Sequence, residues 1–206
     1  MEILLASGNA KKRRELGAML AGSDVRLLAP ADVGGLPLVG EDEPTFAGNA
    51  RKKACAGARA SGRWTLADDS GLEVDRLGGA PGVQSARYGG PHGDDARNNE
   101  RLLEELAGVP DEERGARFVC ALALARPDGS LALEIEAETR GRILPAARGA
   151  GGFGYDPLFL FTEPGWPQTG RCFGELPAAE KAAVSHRGRA LRALVERLAG
   201  LPASPS

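Results

Sequence analysis

Between Trp64 and Gly90 the chain reads WTLADDSGLEVDRLGGAPGVQSARYGG. A short apolar strand runs into two adjacent carboxylates, Asp68 and Asp69. Ser70 and Gly71 then predict a turn, LEVD a second short strand, and the Gly- and Pro-rich run after it a loop. Successive side chains of a strand point to opposite faces. Asp68 and Asp69 therefore cannot both serve one metal ion unless the chain kinks, and the Ser70-Gly71 turn is where a kink is expected. A strand that ends in two carboxylates is suited to a hard cation beside a substrate. The structural alternative is that Asp68 bonds only to turn backbone.

The rest of the chain reads as pieces brought to that strand end. Ile3–Ala6 is a strand, Ser7-Gly8-Asn9 a small polar turn, and Lys11–Ala21 a helix. That order offers helix N-terminal N–H groups to phosphate. Lys11 and Lys12 fall in the helix's first turn, where a cation opposes the dipole unless an anion lies beside it. The segment is not a Walker P-loop, whose glycine spacing differs. Val25–Leu28 predicts a strand and Pro30–Pro44 a loop bearing Glu41, Asp42 and Glu43. Thr45 is the expected N-cap of a helix over Phe46–Ser61, on which Asn49 and Lys53 share a face. Small residues along that helix suit close packing on a sheet. Asp94 should cap a helix reaching Leu106, with Gly108 as its stop.

Ala116–Ala125 reads as a strand, PDGS as a hairpin turn, and Leu131–Thr139 as an antiparallel strand with one wet face. Ile143-Leu144 would begin another short strand. Gly149–Asp156 (GAGGFGYD) is a glycine-dense loop with two aromatics, suited to close approach by a ligand or simply a turn before a strand at Pro157–Phe161. Helices follow at Pro177–Val184, carrying Lys181, and at Arg189–Ala199. His186 and Arg187 are placed just before that last helix, at an end rather than on an apolar face. His92 reads as an exposed bystander. No internal repeat or linker breaks the chain, so one α/β unit over residues 1–200 is expected, with 201–206 a flexible tail.

Composition removes some classes of function. A net charge of −2 over 206 residues gives no electrostatic footprint for a nucleic-acid polyanion. No apolar run approaches bilayer-spanning length, and the order of charges in MEILLASGNAKK is wrong for a secretory signal. Three widely spaced cysteines, Cys55, Cys120 and Cys172, fit neither a disulfide framework nor a zinc pattern and suggest a reducing cytoplasm. Of 26 basic residues only five are lysine: Lys11, Lys12, Lys52, Lys53 and Lys181. In a chain that otherwise uses Arg, these are candidates for places where a compact ammonium is needed.

Glu41, Asp68 and Asp69 are the carboxylates available to a hard cation. Mg²⁺ usually takes one or two carboxylates and leaves its other positions to water and substrate phosphates. Beside Lys11, Lys12, Lys53 and Lys181, this predicts a metal–polyphosphate site. Arg187 offers a donor fork suited to a carbonyl or phosphate, and Phe153 a face for a planar base.

Five segments, SGNAKKRREL, TFAGNARKKA, ADDSGLEVDRLGGAPGVQSARYGG, GGFGYDPLF and EKAAVSHRGRAL, occur in the order found in the inosine triphosphate pyrophosphatase family, the non-standard purine (dITP/XTP) pyrophosphatases. The resemblance spans nearly the whole chain. It implies an α/β fold, a single domain with a central mixed twisted β-sheet flanked by helices and an active site in a cleft between two lobes. It implies a cytoplasmic, homodimeric, Mg²⁺-dependent hydrolase that converts ITP, dITP and XTP to monophosphate and pyrophosphate. Carried over by position, Ser7, Gly8, Asn9, Ala10, Lys11, Lys12 and Lys53 would bind phosphates. Glu41 and Asp69 would hold the metal, Asp69 is the family's proton acceptor with Asp68 as the alternative, and Ser70 would contact substrate. Phe153, Gly154, Tyr155, Asp156, Lys181, His186 and Arg187 would form the nucleoside pocket. One departure stands out: where the family carries two acids in succession this chain has Gly40-Glu41, so Asp42 or Glu43 could replace Glu41. The competing functions are a related pyrophosphatase for other modified nucleotides and a non-catalytic nucleotide sensor.

Overall fold

The computed structural model describes residues 1–91 and 93–198. His92, residues 199–200 of the expected domain and the 201–206 tail lie outside the described residues. The strands are β1 (Glu2–Leu5), β2 (Arg26–Leu28), β3 (Thr65–Val74), β4 (Gly115–Ala125), β5 (Leu131–Ile143) and β6 (Phe159–Phe161). The helices are α1 (Ala10–Leu20), α2 (Phe46–Ser61), α3 (Asp95–Glu105), α4 (Ala178–Val184) and α5 (His186–Leu198). The strands form one six-stranded sheet in the order β2-β1-β3-β4-β5-β6. β1 runs parallel to β2 and β3, and β5 antiparallel to β6, so the sheet is mixed, as expected.

The chain forms two compact units. The first comprises Met1–Asp69, Ala121–Ala137 and the chain from Arg187; the second comprises Ser70–Cys120 and Glu138–His186. In the first, Leu4 of β1 pairs with Thr65 of β3 and with Leu28 of β2. Ile3, Leu16, Leu20, Ala50, Ala54, Ala58, Leu191 and Leu194 are buried. Thr45 caps α2 as predicted, its hydroxyl accepting from the Gly48 N–H at 3.1 Å. Gly57 lets this helix lie close to β3, because a Cβ there would stand 2.9 Å from Thr65 Cγ2.

In the second unit Leu72, Val74, Leu102, Leu106, Phe118, Phe159, Phe161 and Phe173 form the core. Phe159 lies 4.6 Å from Phe118 and 4.9 Å from Phe173, ring centre to ring centre. Each fully buried Phe contributes about 1.5–3 kcal/mol by leaving water. Asp94 caps α3, accepting from the Arg97 N–H at 3.1 Å.

Four sequence expectations are corrected. β3 does not end at Asp69: it continues unbroken through Ser70 and Gly71 to Val74, so there is no turn and no kink. Burial of Leu72 and Val74 overrides the turn preference of Ser-Gly, and the Leu72 N–H is met by Ser85 Oγ at 2.9 Å. Ile143 closes β5 rather than opening a new strand. A 3-10 turn over Asp156–Leu158 delays β6 to Phe159, since Pro157 has no N–H for the ladder. Finally, Ser185 is extended and α5 begins at His186, so His186 and Arg187 are the helix's first residues.

Candidate active site

Two acid–base clusters are built in the first unit from α1, α2, β3 and α5. In one, Lys53 of α2 donates from Nζ to Glu41 Oε1 at 2.6 Å, to Asp69 Oδ1 at 3.0 Å and to the Asp68 carbonyl at 2.8 Å. One helical turn earlier, Asn49 donates from Nδ2 to Asp69 Oδ2 at 3.1 Å and accepts from the Glu43 N–H at 3.0 Å. Both oxygens of Asp69 are therefore oriented by α2. Lys52, next to Lys53, pairs with Asp42, next to Glu41. Two consecutive lysines thus hold two consecutive acids of the loop. Burial pushes the Asp69 carboxyl above its usual range, against the pull of Lys53 and Lys12. Burial opposes the charge of Lys53, but Asp69 and Glu41 raise its pKa above the usual value.

In the other cluster Asp68 is fully buried between two cations. Lys12 of α1 pairs with its Oδ1, and Arg187 of α5 donates from Nε to its Oδ2 at 3.3 Å. The Arg187 Nη1 pairs with Glu15. Burial works against the ionised form of Asp68, yet Lys12 and Arg187 together hold it well below the usual carboxylate range. The opposite orientations predicted for Asp68 and Asp69 are borne out by their separate partners.

Asn9 caps α1, its Oδ1 accepting from the Lys11 and Lys12 N–H groups at 2.9 and 3.1 Å. Those N–H groups, expected to face phosphate, are engaged by Asn9. Ser7 Oγ accepts from the Asn9 N–H at 3.2 Å; Gly8, Ala10 and Lys11 are exposed.

Among the described residues no group of three or more His, Cys, Asp or Glu side chains stands together as a metal cage. Glu41 and Asp69 nevertheless converge on a single ammonium, so one positive charge faces two carboxylates. Two carboxylates, with the remaining positions supplied by water and phosphate oxygens, are a donor set that suits Mg²⁺.

In the second unit Lys181 of α4 donates to Asp156 Oδ2 at 2.7 Å, and both residues are buried. Its ammonium lies 5.1 Å from the Phe153 ring centre. Asp156 Oδ2 also accepts from the Phe153 N–H at 2.7 Å. Gly152 makes this possible: its φ is +74°, and a Cβ would stand 2.1 Å from that same oxygen. Gly154 donates to Asp95 Oδ2 at 2.9 Å and accepts from Asn99 Nδ2 at 3.0 Å. Tyr155 is buried and its hydroxyl donates to the Ser85 carbonyl at 2.9 Å. His186 stacks on Phe118 at 4.7 Å and 12°, so it does lie on an apolar face, contrary to the sequence reading. Ser70 is half-buried within β3.

The structure thus brings Glu41, Lys53 and Asp69 together, and Phe153, Asp156 and Lys181 together. Glu15, Asp95 and Asn99 were missed, and Asn49 was seen only as a neighbour of Lys53. Their signal was helical spacing: Glu15 lies three residues from Lys12, Asn49 four from Lys53, and Asp95 four from Asn99.

Comparison with known proteins matches the Ham1 family over residues 3–197. The chain is 48% identical over 205 residues to a dITP/XTP pyrophosphatase of Rhodopirellula baltica, covering 100% of this chain and 96% of the relative. It is 50% identical over 207 residues to one of Corynebacterium glutamicum, covering 99% and 100%. Among solved structures, a HAM1 protein from Coxiella burnetii superposes with a TM-score of 0.86 at 37% identity, covering 98% of this chain and 100% of the other. A nucleoside-triphosphatase, dITP/XTP pyrophosphatase, from Mycobacterium abscessus gives 0.75 at 47%, covering 94% and 98%. With this fold, these motifs and a match over nearly its whole length, the chain belongs to the Ham1 family.

Proposed function

We propose that the protein hydrolyses non-standard purine nucleoside triphosphates, ITP, dITP and XTP, to the monophosphate and pyrophosphate. The observation that carries this reading is the convergence of Glu41 and Asp69 on Lys53, in a chain whose relatives are named for that reaction. Glu41 and Asp69 are the residues that would hold Mg²⁺, which when bound neutralises charge on phosphate oxygens.

The chain's own groups account for the remaining steps. Lys12 and Lys53 attract the triphosphate and stabilise charge on the departing pyrophosphate. Ser7, Gly8, Asn9, Ala10 and Lys11 line the phosphate end, and Ser70 contacts substrate. Asp69 orients water toward the α-phosphorus and accepts its proton. Both oxygens of Asp68, by contrast, are taken up by Lys12 and Arg187 in a buried ion cluster. Asn49 fixes the Asp69 carboxylate, and Arg187, anchored by Glu15, fixes Asp68.

Phe153, Gly154, Tyr155, Asp156, Lys181 and His186 serve the nucleoside. The Lys181 ammonium carries only donors. A 6-keto base such as hypoxanthine or xanthine meets it with an acceptor, whereas adenine presents an amino donor. Buried sites of this kind discriminate by roughly 10⁴–10⁵. The family resemblance supports a cytoplasmic homodimer. Among the described residues no helix is long and apolar enough to cross a membrane.

The reaction is tested by hydrolysing XTP with Mg²⁺ in isotopically labelled water. Label in the monophosphate, with unlabelled pyrophosphate, is expected. Release of orthophosphate overturns the proposal.

A further inference from the structure

Both main-chain groups of Gly154 are held by one turn of one helix. The N–H donates to Asp95 Oδ2 and the carbonyl accepts from Asn99 Nδ2. Four residues apart, Asp95 and Asn99 share a face of α3. Together they offer Gly154 one acceptor and one donor, as a neighbouring strand would. The glycine is in the left-handed region at φ +63°, and the space beyond it is open. Conformation, not crowding, therefore calls for glycine here.

The neighbouring residues are held just as firmly. The Phe153 N–H is engaged by Asp156, and the Tyr155 hydroxyl by the Ser85 carbonyl. The N–H groups of Phe153 and Gly154 are thus both committed to carboxylates. Beside these bonds the loop presents the half-buried Phe153 ring, next to Lys181. α3 is itself fixed to the second unit's core through Leu102 and, at its C-cap, Leu106, and its Asn98 accepts from the Gly89 N–H at 2.6 Å.

We propose that Asp95 and Asn99 are positioning residues for nucleobase recognition: by clamping the Gly154 peptide they set the plane of the Phe153 ring against which the base stacks. This rests on the reading of Phe153 and Lys181 as base-binding groups. The clamp residues bond Gly154 in the second unit, whereas the groups proposed for the phosphates belong to the first, so their effect falls on KM and not on kcat.

The test uses the full chain with ITP and Mg²⁺, measuring kcat, KM, melting temperature and amide hydrogen exchange at Gly154. Asn99→Asp keeps the side chain's size but turns its donor into an acceptor facing the Gly154 carbonyl. It should raise KM about three- to tenfold, the scale of one hydrogen bond, and leave kcat within about twofold. Gly154 exchange should quicken. Asp95→Asn retains an oxygen for the Gly154 N–H and should raise KM less. Should Asn99→Asp fail to fold, Asp95→Leu should give the same rise in KM. Phe153→Ala is the control for the underlying reading. If Phe153→Ala raises KM while the clamp variants leave both KM and Gly154 exchange unchanged, the clamp proposal is overturned and the base-binding reading stands. If Phe153→Ala leaves KM unchanged, the base-binding reading fails and the proposal falls with it.

Discussion

Arg187 donates from Nε to Asp68 Oδ2 at 3.3 Å, and both side chains are almost wholly withdrawn from solvent. The same carboxylate is held at its other oxygen by Lys12. Removing Asp68 takes the carboxylate from Lys12 and from the Arg187 Nε, while Glu15 still meets Arg187 Nη1. Asp68→Asn should therefore destabilise the fold by about 3–5 kcal/mol, read as a fall in the denaturation midpoint. A loss below about 1 kcal/mol would show that Lys12 and Arg187 find other partners.

The same cluster fixes the direction of the acid response. The Asp68 carboxyl ionises below its ordinary value of 3.8 in the folded chain. It therefore contributes stability above that pH, and this is lost progressively as pH falls below it. Asp69, raised by burial, acts in the opposite sense: it favours the folded state at low pH, and that contribution is lost as pH rises through its folded value. Unfolding free energy measured against pH should fall more steeply on the acid side in the parent than in Asp68→Asn. Parallel curves would contradict the assignment.

Asp69→Asn separates chemistry from stability. The amide preserves an acceptor for Asn49 but cannot take a proton from water. kcat should drop by about 10²–10⁴, the usual contribution of a general base, while the melting temperature stays at or above that of the parent. Near-normal kcat would transfer the role to Asp68 or to no carboxylate at all.

Lys52 and Lys53 are consecutive on α2 yet should behave differently. Lys52 pairs with Asp42 at the surface, with side chains 37% and 72% exposed. Lys52→Met should therefore cost no more than about 1 kcal/mol. The Lys53 side chain is only 14% exposed and holds two carboxylates. Lys53→Met should cut kcat/KM by about 10²-fold or more through lost charge stabilisation. Equal effects of the two substitutions on kcat/KM would deny Lys53 a place in the site.

Local signals in the sequence were enough to place most elements. Thr45 and Asp94 marked the starts of α2 and α3, and PDGS marked the turn between β4 and β5. The failures arose where burial overrode local preference. Ser70-Gly71 has the composition of a turn but lies inside a strand whose next apolar residues are buried. His186 reads as a residue just before a helix rather than on an apolar face, but it stacks on Phe118. The candidate site was legible at its acids and lysines, since each of those residue types points to a chemistry. Asn49, Glu15, Asp95 and Asn99 were not legible as a group. An amide or acid on a helix surface has many possible partners, and only the tertiary fold shows that these four meet Asp69, Arg187 and Gly154.

The central claim is tested most directly by kcat/KM, with Mg²⁺ present, for ITP and XTP against ATP. The account predicts strong preference for ITP and XTP, with pyrophosphate as the second product. Equal turnover of ATP, or tight ITP binding without turnover, would contradict it.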